Sequence, residues 1–256
     1  SRIDWLTYIT EDRIHLRSQK ELRDHQIQAV KKVKEGLEEG DRGKLIMACG
    51  TGKTFTSLKI AEELAGKGKS ILYMVPSLSL MSQTVREWKN DALNDFTAFS
   101  ACSDIKIGKR SSKQDLIEVS LNDLAFPATT DPSKLSEQIQ NADKGKMTVI
   151  FSTYHSIDVI SEAQFKYDLT EFDLIICDEA HRTTGATLIG EDESNFVRIH
   201  SNDNVRGKKR LYMTATPRIF GETAKKKADE GEVALASMDD EETFGKTLFY
   251  RGFGWA

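Results

Sequence analysis

The sequence has few of the features that mark secreted, metal-stapled or membrane-spanning proteins. It contains three cysteines among 256 residues, at Cys49, Cys102 and Cys177, with no CxxC pair. An odd number at wide spacing argues against a disulfide framework and against a zinc site. No apolar run approaches the roughly 20 residues of a membrane-spanning helix, and Ser1–Thr10 lacks the pattern of a signal peptide. We therefore expect a cytoplasmic protein with no membrane contact.

The sequence also lacks a strong charge of either sign. It has 36 Lys and Arg against 40 Asp and Glu, a formal net charge of -4. Such a balance gives no general attraction to nucleic acid, so any contact of that kind must be local. The length and the 39% hydrophobic content are those of one large globular domain with a substantial core.

Short apolar runs alternate with stretches of helical periodicity. The predicted strands are Lys44–Cys49, Ser70–Val75, Met147–Phe151, Phe172–Cys177 and Lys209–Met213. The predicted helices are Leu22–Leu37, Lys53–Ala65, Leu78–Trp88, Ser133–Gln140 and Ser156–Ala163. Continuous apolar strands between helices predict an α/β fold, a mostly parallel sheet with helices on both faces. We place this domain at 21–220, after an N-terminal linker at 1–20 and with a polar insertion near 103–146.

One segment, Cys49–Thr54, has the pattern of a phosphate-binding loop (P-loop) between a strand and a helix. Gly50 and Gly52 would let backbone N–H groups converge on phosphate oxygens, together with Cys49 and Thr51. Lys53 would reach the β- and γ-phosphates of ATP, and the Thr54 hydroxyl would bind Mg²⁺. The alternative is a structural glycine turn beside a solvated lysine.

A second segment, Asp178–His181, reads Asp-Glu-Ala-His directly after an apolar strand. Asp178 would hold Mg²⁺, and Glu179 would orient and deprotonate the attacking water, which makes Lys53, Asp178 and Glu179 the candidate catalytic residues. His181, Thr214 and Thr216 would couple the nucleotide site to a polynucleotide. The alternatives are solvated charges on a helix for the first segment and a simple turn for the threonines.

The order of Gln26, Gly50–Thr54, Asp178–His181 and Thr214–Thr216 resembles helicase superfamily 2. It is similar to the first RecA-like domain of the DEAH-box type, a P-loop NTPase fold. Segments 23–26, 75–77, 151–154 and 211–218 narrow the likeness to the motor of type ISP single-polypeptide restriction-modification enzymes. In that family a nuclease precedes the motor and a methyltransferase follows it.

The resemblance implies further roles for individual residues. Arg23 and Gln26 match the adenine-binding segment, and an amide suits the N6 and N7 edge of adenine. The residues that match polynucleotide-binding motifs are Pro76, Ser77, Gln83, Ser152, Thr153 and Tyr154. Hydroxyls and backbone amides at strand ends bind phosphates without reading sequence, although Ser77 and Ser156 serve equally well as helix caps.

Further candidate contacts lie outside these motifs. Thr129 and Thr130 could bind phosphates in the weakly patterned stretch. Two basic clusters could face DNA, although charge runs are more often solvated faces. The clusters consist of Lys106, Lys109, Arg110 and Lys113, and of Lys208, Lys209 and Arg210.

The resemblance implies an ATP- and Mg²⁺-dependent motor that moves on duplex DNA. A second RecA-like domain in the same polypeptide would supply an arginine finger, and 221–256 would begin the connection to it. We therefore expect this chain alone to bind nucleotide but to hydrolyse it slowly. An RNA helicase of the DEAH type and a nucleotide-gated clamp without productive hydrolysis are the alternatives.

Overall fold

The computed structural model of the chain describes residues 19–102, 128–188, 195–223, 228 and 233–252. Most of the predicted linker at 1–20 lies outside the described residues. The same holds for much of the predicted insertion, including the basic cluster of Lys106, Lys109, Arg110 and Lys113. The domain boundaries stay predictions.

The described helices and strands alternate along most of the chain. The helices are α1 (Asp24–Glu39), α2 (Lys53–Leu64), α3 (Leu78–Asp91), α4 (Pro132–Gln140), α5 (Ile157–Lys166) and α6 (Glu241–Phe244). The strands are β1 (Arg42–Met47), β2 (Ser70–Val75), β3 (Phe96–Ala101), β4 (Ala128–Thr129), β5 (Met147–Thr153), β6 (Leu174–Cys177), β7 (Gly185–Leu188), β8 (Arg210–Thr214), β9 (Val233–Ala236) and β10 (Lys246–Arg251). Each predicted helix and strand has a counterpart here, with ends that differ by a few residues.

Eight strands form one sheet in the order β10-β1-β8-β6-β2-β5-β3-β4. Every described pairing in this sheet is parallel. Strands β7 and β9 form a separate antiparallel ribbon. Because all eight strands point the same way, their carboxyl ends meet at one edge, which we call the carboxyl edge.

The two faces of the sheet are covered by different helices. Along β2, Ile71, Tyr73 and Val75 belong to one core cluster, which also contains residues of α1, α2 and α3. Leu72 and Met74 belong to a second cluster with residues of α4 and α5. This alternation follows from the period of two in a strand, and it confirms the predicted α/β fold with helices on both faces.

Five strands (β3, β4, β7, β9 and β10) and helix α6 had no counterpart among the predicted elements. Of these, β3 and β10 are the longest; both lie near the margins of the sheet, and their burial is incomplete. They therefore lack the continuous apolar run that identifies a central parallel strand. Leu248 on β10 packs directly against Gly43 on β1. A Cβ at position 43 would lie 2.4 Å from the Leu248 side chain, so glycine is needed to leave room for it. None of the described helices has both the length and the apolar character needed to cross a membrane.

Candidate nucleotide and polynucleotide site

The three segments predicted to handle nucleotide lie side by side on the carboxyl edge. The P-loop follows β1, Asp178–His181 follows β6, and Thr214 ends β8. The strand order β1-β8-β6 makes these three strands neighbours, although they are far apart in sequence. Ligands of open α/β sheets bind at this edge.

The P-loop adopts a backbone that only glycine tolerates well. Gly50 and Gly52 have φ angles of 77° and 86°, in the left-handed region. Thr51 closes the turn by donating its hydroxyl to the carbonyl of Ala48 at 2.6 Å. Helix α2 begins directly after the loop, at Lys53, so its first N–H groups and its positive end are available to an anion.

Gln26 connects helix α1 to the P-loop. Its Nε2 donates to the carbonyls of Thr51 and Gly52, both at 3.3 Å, and its Oε1 accepts from the backbone N–H of Arg23 at 2.9 Å. His25 Nε2 also lies 3.1 Å from the carbonyl of Thr51. Gln26 is 3% exposed and is therefore part of the P-loop support. Adenine recognition by Gln26 and Arg23 stays a prediction.

The two candidate carboxylates lie in different environments. Burial, with the carboxylate of Glu179 as the second cause, raises the pKa of Asp178 to about 6. Its Oδ1 accepts the N–H of Glu179 at 2.9 Å. Glu179 is more exposed, and its Oε1 lies 4.0 Å from Lys53 Nζ. The φ of 48° at Glu179 is uncommon for a residue with a side chain, and such backbone strain clusters at functional sites.

The predicted coupling residues form a chain of contacts. His181 Nδ1 lies 3.4 Å from Glu179 Oε2 and 3.0 Å from the hydroxyl of Thr214. The same hydroxyl accepts the N–H of Thr216 at 3.1 Å. Burial lowers the pKa of His181, so the ring is neutral near pH 7. The geometry connects Glu179 to the end of β8, and the coupling role itself stays a prediction.

The oxygen atoms at this edge suit a hard divalent cation. Mg²⁺ prefers oxygen ligands and usually binds through one or two protein groups, with phosphates and waters completing its shell. The Thr54 hydroxyl and the Asp178 carboxylate supply such oxygens. Within the part of the chain that the structure describes, no group of three His, Cys, Asp or Glu side chains forms a metal site. The chemistry of these two oxygen donors fits Mg²⁺, and its binding here stays a prediction.

Most residues predicted to bind a polynucleotide lie at the carboxyl ends of β2 and β5, which are adjacent strands, and of β4, which is separated from β5 by β3. Pro76 and Ser77 follow β2, and Ser152 and Thr153 end β5. Ser77 also caps α3, because its hydroxyl accepts the N–H of Leu80 at 3.4 Å. Thr153 exchanges a hydrogen bond with Ser156 at 2.8 Å. The predicted cap is therefore confirmed for Ser77, whereas Ser156 makes no side-chain cap bond at the start of α5. A phosphate contact at these positions stays a prediction.

The other candidates on these strands differ in exposure. Ser152 and Tyr154 are fully buried, and Tyr154 donates its hydroxyl to the carbonyl of Asp178 at 2.8 Å. These two side chains therefore have no surface for a polynucleotide. Gln83 is exposed on α3 and donates to Glu87, and Thr130 is exposed after β4. The hydroxyl of Thr129 accepts the N–H of Asp131 at 3.1 Å.

The interpretation of Lys208–Arg210 as a DNA-facing cluster is wrong for Arg210. That residue is 1% exposed, and its guanidinium donates to the carbonyls of Ile199 and Val205. Lys208 pairs with Asp173, and Lys209 donates to the carbonyl of Leu37. The cluster lies at the amino end of β8, opposite the carboxyl edge. There the buried guanidinium of Arg210 bonds to the backbone of the segment that contains Ile199 and Val205.

Three residues beneath the nucleotide segments were not among the candidates. Tyr73 donates to Asp178 Oδ2 at 3.4 Å, Ser57 donates to the carbonyl of Thr54 at 2.8 Å, and Trp88 Nε1 donates to the same carbonyl at 3.2 Å. All three are fully buried. The available signal was a tyrosine within an otherwise apolar strand, because a buried phenol requires a partner for its hydroxyl.

The chain is similar to several known proteins. Residues 19–219 match the family described as "Type III restriction enzyme, res subunit". A probable helicase of African swine fever virus is 31% identical over 183 residues, which are 71% of this chain and 18% of that protein. The Type I restriction enzyme EcoAI endonuclease subunit of Escherichia coli is 32% identical over 180 residues, 69% of this chain and 18% of that protein.

Two solved structures are more similar. The ATP-dependent Type ISP restriction-modification enzyme LlaBIII, bound to DNA, is 41% identical with a TM-score of 0.77, over 98% of this chain and 16% of that one. A nuclease-deletion mutant of the Type ISP enzyme LlaGI, in complex with a DNA substrate mimic, is 40% identical with a TM-score of 0.70, over 91% of this chain and 20% of that one. The chain thus spans about a fifth of the length of these relatives. With its RecA-like fold and its matched residues 19–219, it belongs to the family of the Type III restriction enzyme res subunit and is a helicase-type motor domain.

Proposed function

We propose that this domain hydrolyses ATP with Mg²⁺ and drives movement along duplex DNA within a restriction-modification enzyme. The observation that carries the proposal is that candidate nucleotide residues and candidate polynucleotide residues lie next to each other on the carboxyl edge. The ends of β1, β8 and β6 bear the P-loop, the carboxylates and the threonines, and the next strands, β2 and β5, bear the candidate polynucleotide contacts. A change at the phosphates therefore has a neighbouring segment to act on.

The chemistry of hydrolysis divides among the residues of the first three strands. The P-loop backbone and Lys53 bind the phosphates, and Thr54 and Asp178 hold Mg²⁺, which neutralises charge on the transferring group. Glu179 accepts a proton from the attacking water. In the described structure Glu179 lies near Lys53, and a bound γ-phosphate would compete for that lysine and free the carboxylate.

The polynucleotide is proposed to be duplex DNA. The similar LlaBIII structure is bound to DNA, and the similar LlaGI structure is in complex with a DNA substrate mimic. The net charge of -4 requires contact through local groups, such as the hydroxyl of Ser77 and the backbone amides after β2 and β5. Such contacts hold the phosphate backbone without reading sequence, as a motor requires.

The complete reaction is proposed to need a second RecA-like domain in the same polypeptide. That domain would supply an arginine to the transferring phosphoryl group, and this chain alone would then hydrolyse ATP slowly. A nuclease and a methyltransferase in the same polypeptide are part of the same proposal. Robust hydrolysis by the 256-residue chain alone, abolished by Lys53→Ala, would contradict the need for the second domain.

The test is the steady-state ATPase rate of the longer polypeptide that carries this domain, with long duplex DNA, single-stranded DNA or RNA. Lys53→Ala provides the blank, and Lys67→Ala, at an exposed lysine after the same helix, is the matched control. Stimulation that grows with duplex length supports the proposal. Stimulation by RNA alone would instead identify an RNA helicase, and full function of Glu179→Gln would identify a clamp without productive hydrolysis.

A further inference from the structure

We infer that Tyr73 is a positioning residue that aligns the two Mg²⁺ ligands, Thr54 and Asp178, with each other. The inference rests on the proposed function, because both ligands are assigned there. Tyr73 is fully buried, so it would act on the bound ligands only through its neighbours. Those neighbours form a short series of polar and aromatic contacts beneath the P-loop.

A series of polar contacts links two segments that are distant in sequence. Tyr73, on β2, donates its hydroxyl to Asp178 Oδ2 at 3.4 Å, across a sequence separation of 105 residues. Ser57 donates its single proton to the carbonyl of Thr54 at 2.8 Å. Because both protons are used in this way, the 3.4 Å approach of the two hydroxyl oxygens is a contact without a hydrogen bond.

The ring of Tyr73 is held in place by its neighbours. Trp88 meets it edge to face with ring centroids 5.1 Å apart, and Phe151 lies at 5.7 Å. Trp88 also donates its Nε1 to the carbonyl of Thr54 at 3.2 Å. The same aromatic group therefore supports the first turn of α2 and fixes the phenol that reaches Asp178. Edge-to-face pairs of this kind add directional packing to their buried area.

The consequence for Asp178 is a fixed carboxylate plane. Oδ1 accepts the N–H of Glu179 and Oδ2 accepts the hydroxyl of Tyr73, so rotation about the last side-chain bond would break one of these bonds. A carboxylate oxygen that accepts one such bond keeps a lone pair for a metal-bound water. Hydrogen bonds behind metal ligands commonly determine the orientation of those ligands and the affinity for the metal.

A purely structural role for the hydroxyl would not involve the metal. A phenylalanine at this position would keep the ring contacts and would remove only the hydroxyl. The P-loop backbone, which binds phosphates without the cation, would be unchanged. The loss should therefore appear in Mg²⁺-dependent nucleotide binding and be absent when the metal is withheld.

The test compares Tyr73→Phe with Tyr212→Phe. Tyr212 is equally buried, but its hydroxyl contacts His200 Nδ1 at 3.0 Å, away from the carboxylates. Binding of a fluorescent ATP analogue is titrated with Mg²⁺ and, separately, measured in EDTA. We expect Tyr73→Phe to raise the Mg²⁺ concentration for half-maximal binding roughly tenfold, the lower end of the range for residues behind metal ligands. Its affinity in EDTA, and both quantities in Tyr212→Phe, should match the wild type.

A second variant guards against a folding defect in the first. Ser57→Ala breaks the same series at another point and should shift the Mg²⁺ requirement in the same direction. A wild-type domain whose nucleotide binding ignores Mg²⁺ would overturn the proposed metal site. A wild type that requires Mg²⁺, with a Tyr73→Phe variant that requires no more of it, would overturn only the role of Tyr73. Equal losses with Mg²⁺ and in EDTA would also overturn that role.

Discussion

Replacing Asp178 by asparagine should make the metal-free domain more stable at neutral pH. Burial raises the pKa of this carboxyl from 3.8 to about 6, and the side chain is only 7% exposed. Each pKa unit corresponds to about 1.4 kcal/mol, so a shift of roughly two units corresponds to about 3 kcal/mol. Asparagine keeps the shape and an acceptor for the N–H of Glu179 but carries no charge to desolvate.

The direction of the pH dependence follows from how tightly the folded and the unfolded chain bind the proton of Asp178. Because the pKa is higher in the folded state, the folded protein holds this proton more tightly than the unfolded chain. The stabilisation by the protonated form is complete below about pH 4 and is lost as the pH rises through about 6. The advantage of Asp178→Asn should therefore be full at pH 7 and should shrink as the pH falls from 6 toward 4.

Urea unfolding in EDTA at several pH values measures this difference. Asp131→Asn is the matched control, because the Ser133 hydroxyl and the Lys134 N–H hold the pKa of Asp131 below its usual range. Its neutralisation should give no gain in stability at pH 7. Adding Mg²⁺ and ATP should stabilise the wild type more than Asp178→Asn, since only the wild type keeps the ligand. If Asp178→Asn is no more stable than the wild type in EDTA at pH 7, then burial of the charged Asp178 carboxylate does not cost the stability expected here.

Three further predictions concern single side chains. Burial lowers the pKa of His200 to about 4. The neutral ring should therefore contribute fully to the free energy of unfolding above pH 6.5, and this contribution of about 3 kcal/mol should be lost as the pH falls through about 4. Urea unfolding in the Asp178→Asn background, where the opposing carboxyl is absent, measures this loss, and a flat profile would contradict it. Cys49 is exposed whereas the other two cysteines are buried, so a thiol reagent should label Cys49 first, and ATP should slow that labelling, as mass spectrometry can follow. Gly52→Ala would place a Cβ 2.4 Å from Gln26 Nε2, on a residue whose φ of 86° disfavours any side chain. This substitution should weaken nucleotide binding, measured by calorimetric titration, at least tenfold, or about 1.4 kcal/mol. Gly221→Ala, where a Cβ would meet no atom within 4 Å, should leave the affinity unchanged.

The fold and the nucleotide segments were predictable because both depend on local sequence. A central parallel strand is buried on both faces and reads as an unbroken apolar run, as in β2 and β6. The polar residues that follow such runs must lie at the carboxyl edge, so the sequence alone places Lys53, Asp178 and Thr214 near one another. Periodicity could not identify β3 and β10, because strands near a sheet margin bury only part of their surface.

The supporting residues were not predictable for a different reason. Trp88 meets the carbonyl of Thr54 across 34 residues of sequence, and Tyr73 meets Asp178 across 105. The phenol of Tyr73 within an apolar strand indicates that its hydroxyl has a partner, but nothing local says which partner it has, and Trp88 simply satisfies the apolar pattern of its helix. Arg210 shows the opposite error. Its place in a basic run predicted an exposed side chain, but its guanidinium is buried and donates to the backbone carbonyls of Ile199 and Val205.

Asp178 is the residue at which the nucleotide strands and the candidate polynucleotide strands meet. Its carboxylate accepts a hydrogen bond from Tyr73 on β2, and its main-chain carbonyl accepts one from Tyr154, which follows β5. Its own N–H donates to the carbonyl of Met74, also on β2. Three of its polar groups are therefore held by residues of β2 or by the residue after β5, close to Pro76–Ser77 and Ser152–Thr153. The hydrogen bonds between the two halves of the carboxyl edge thus include two that are donated by buried tyrosines.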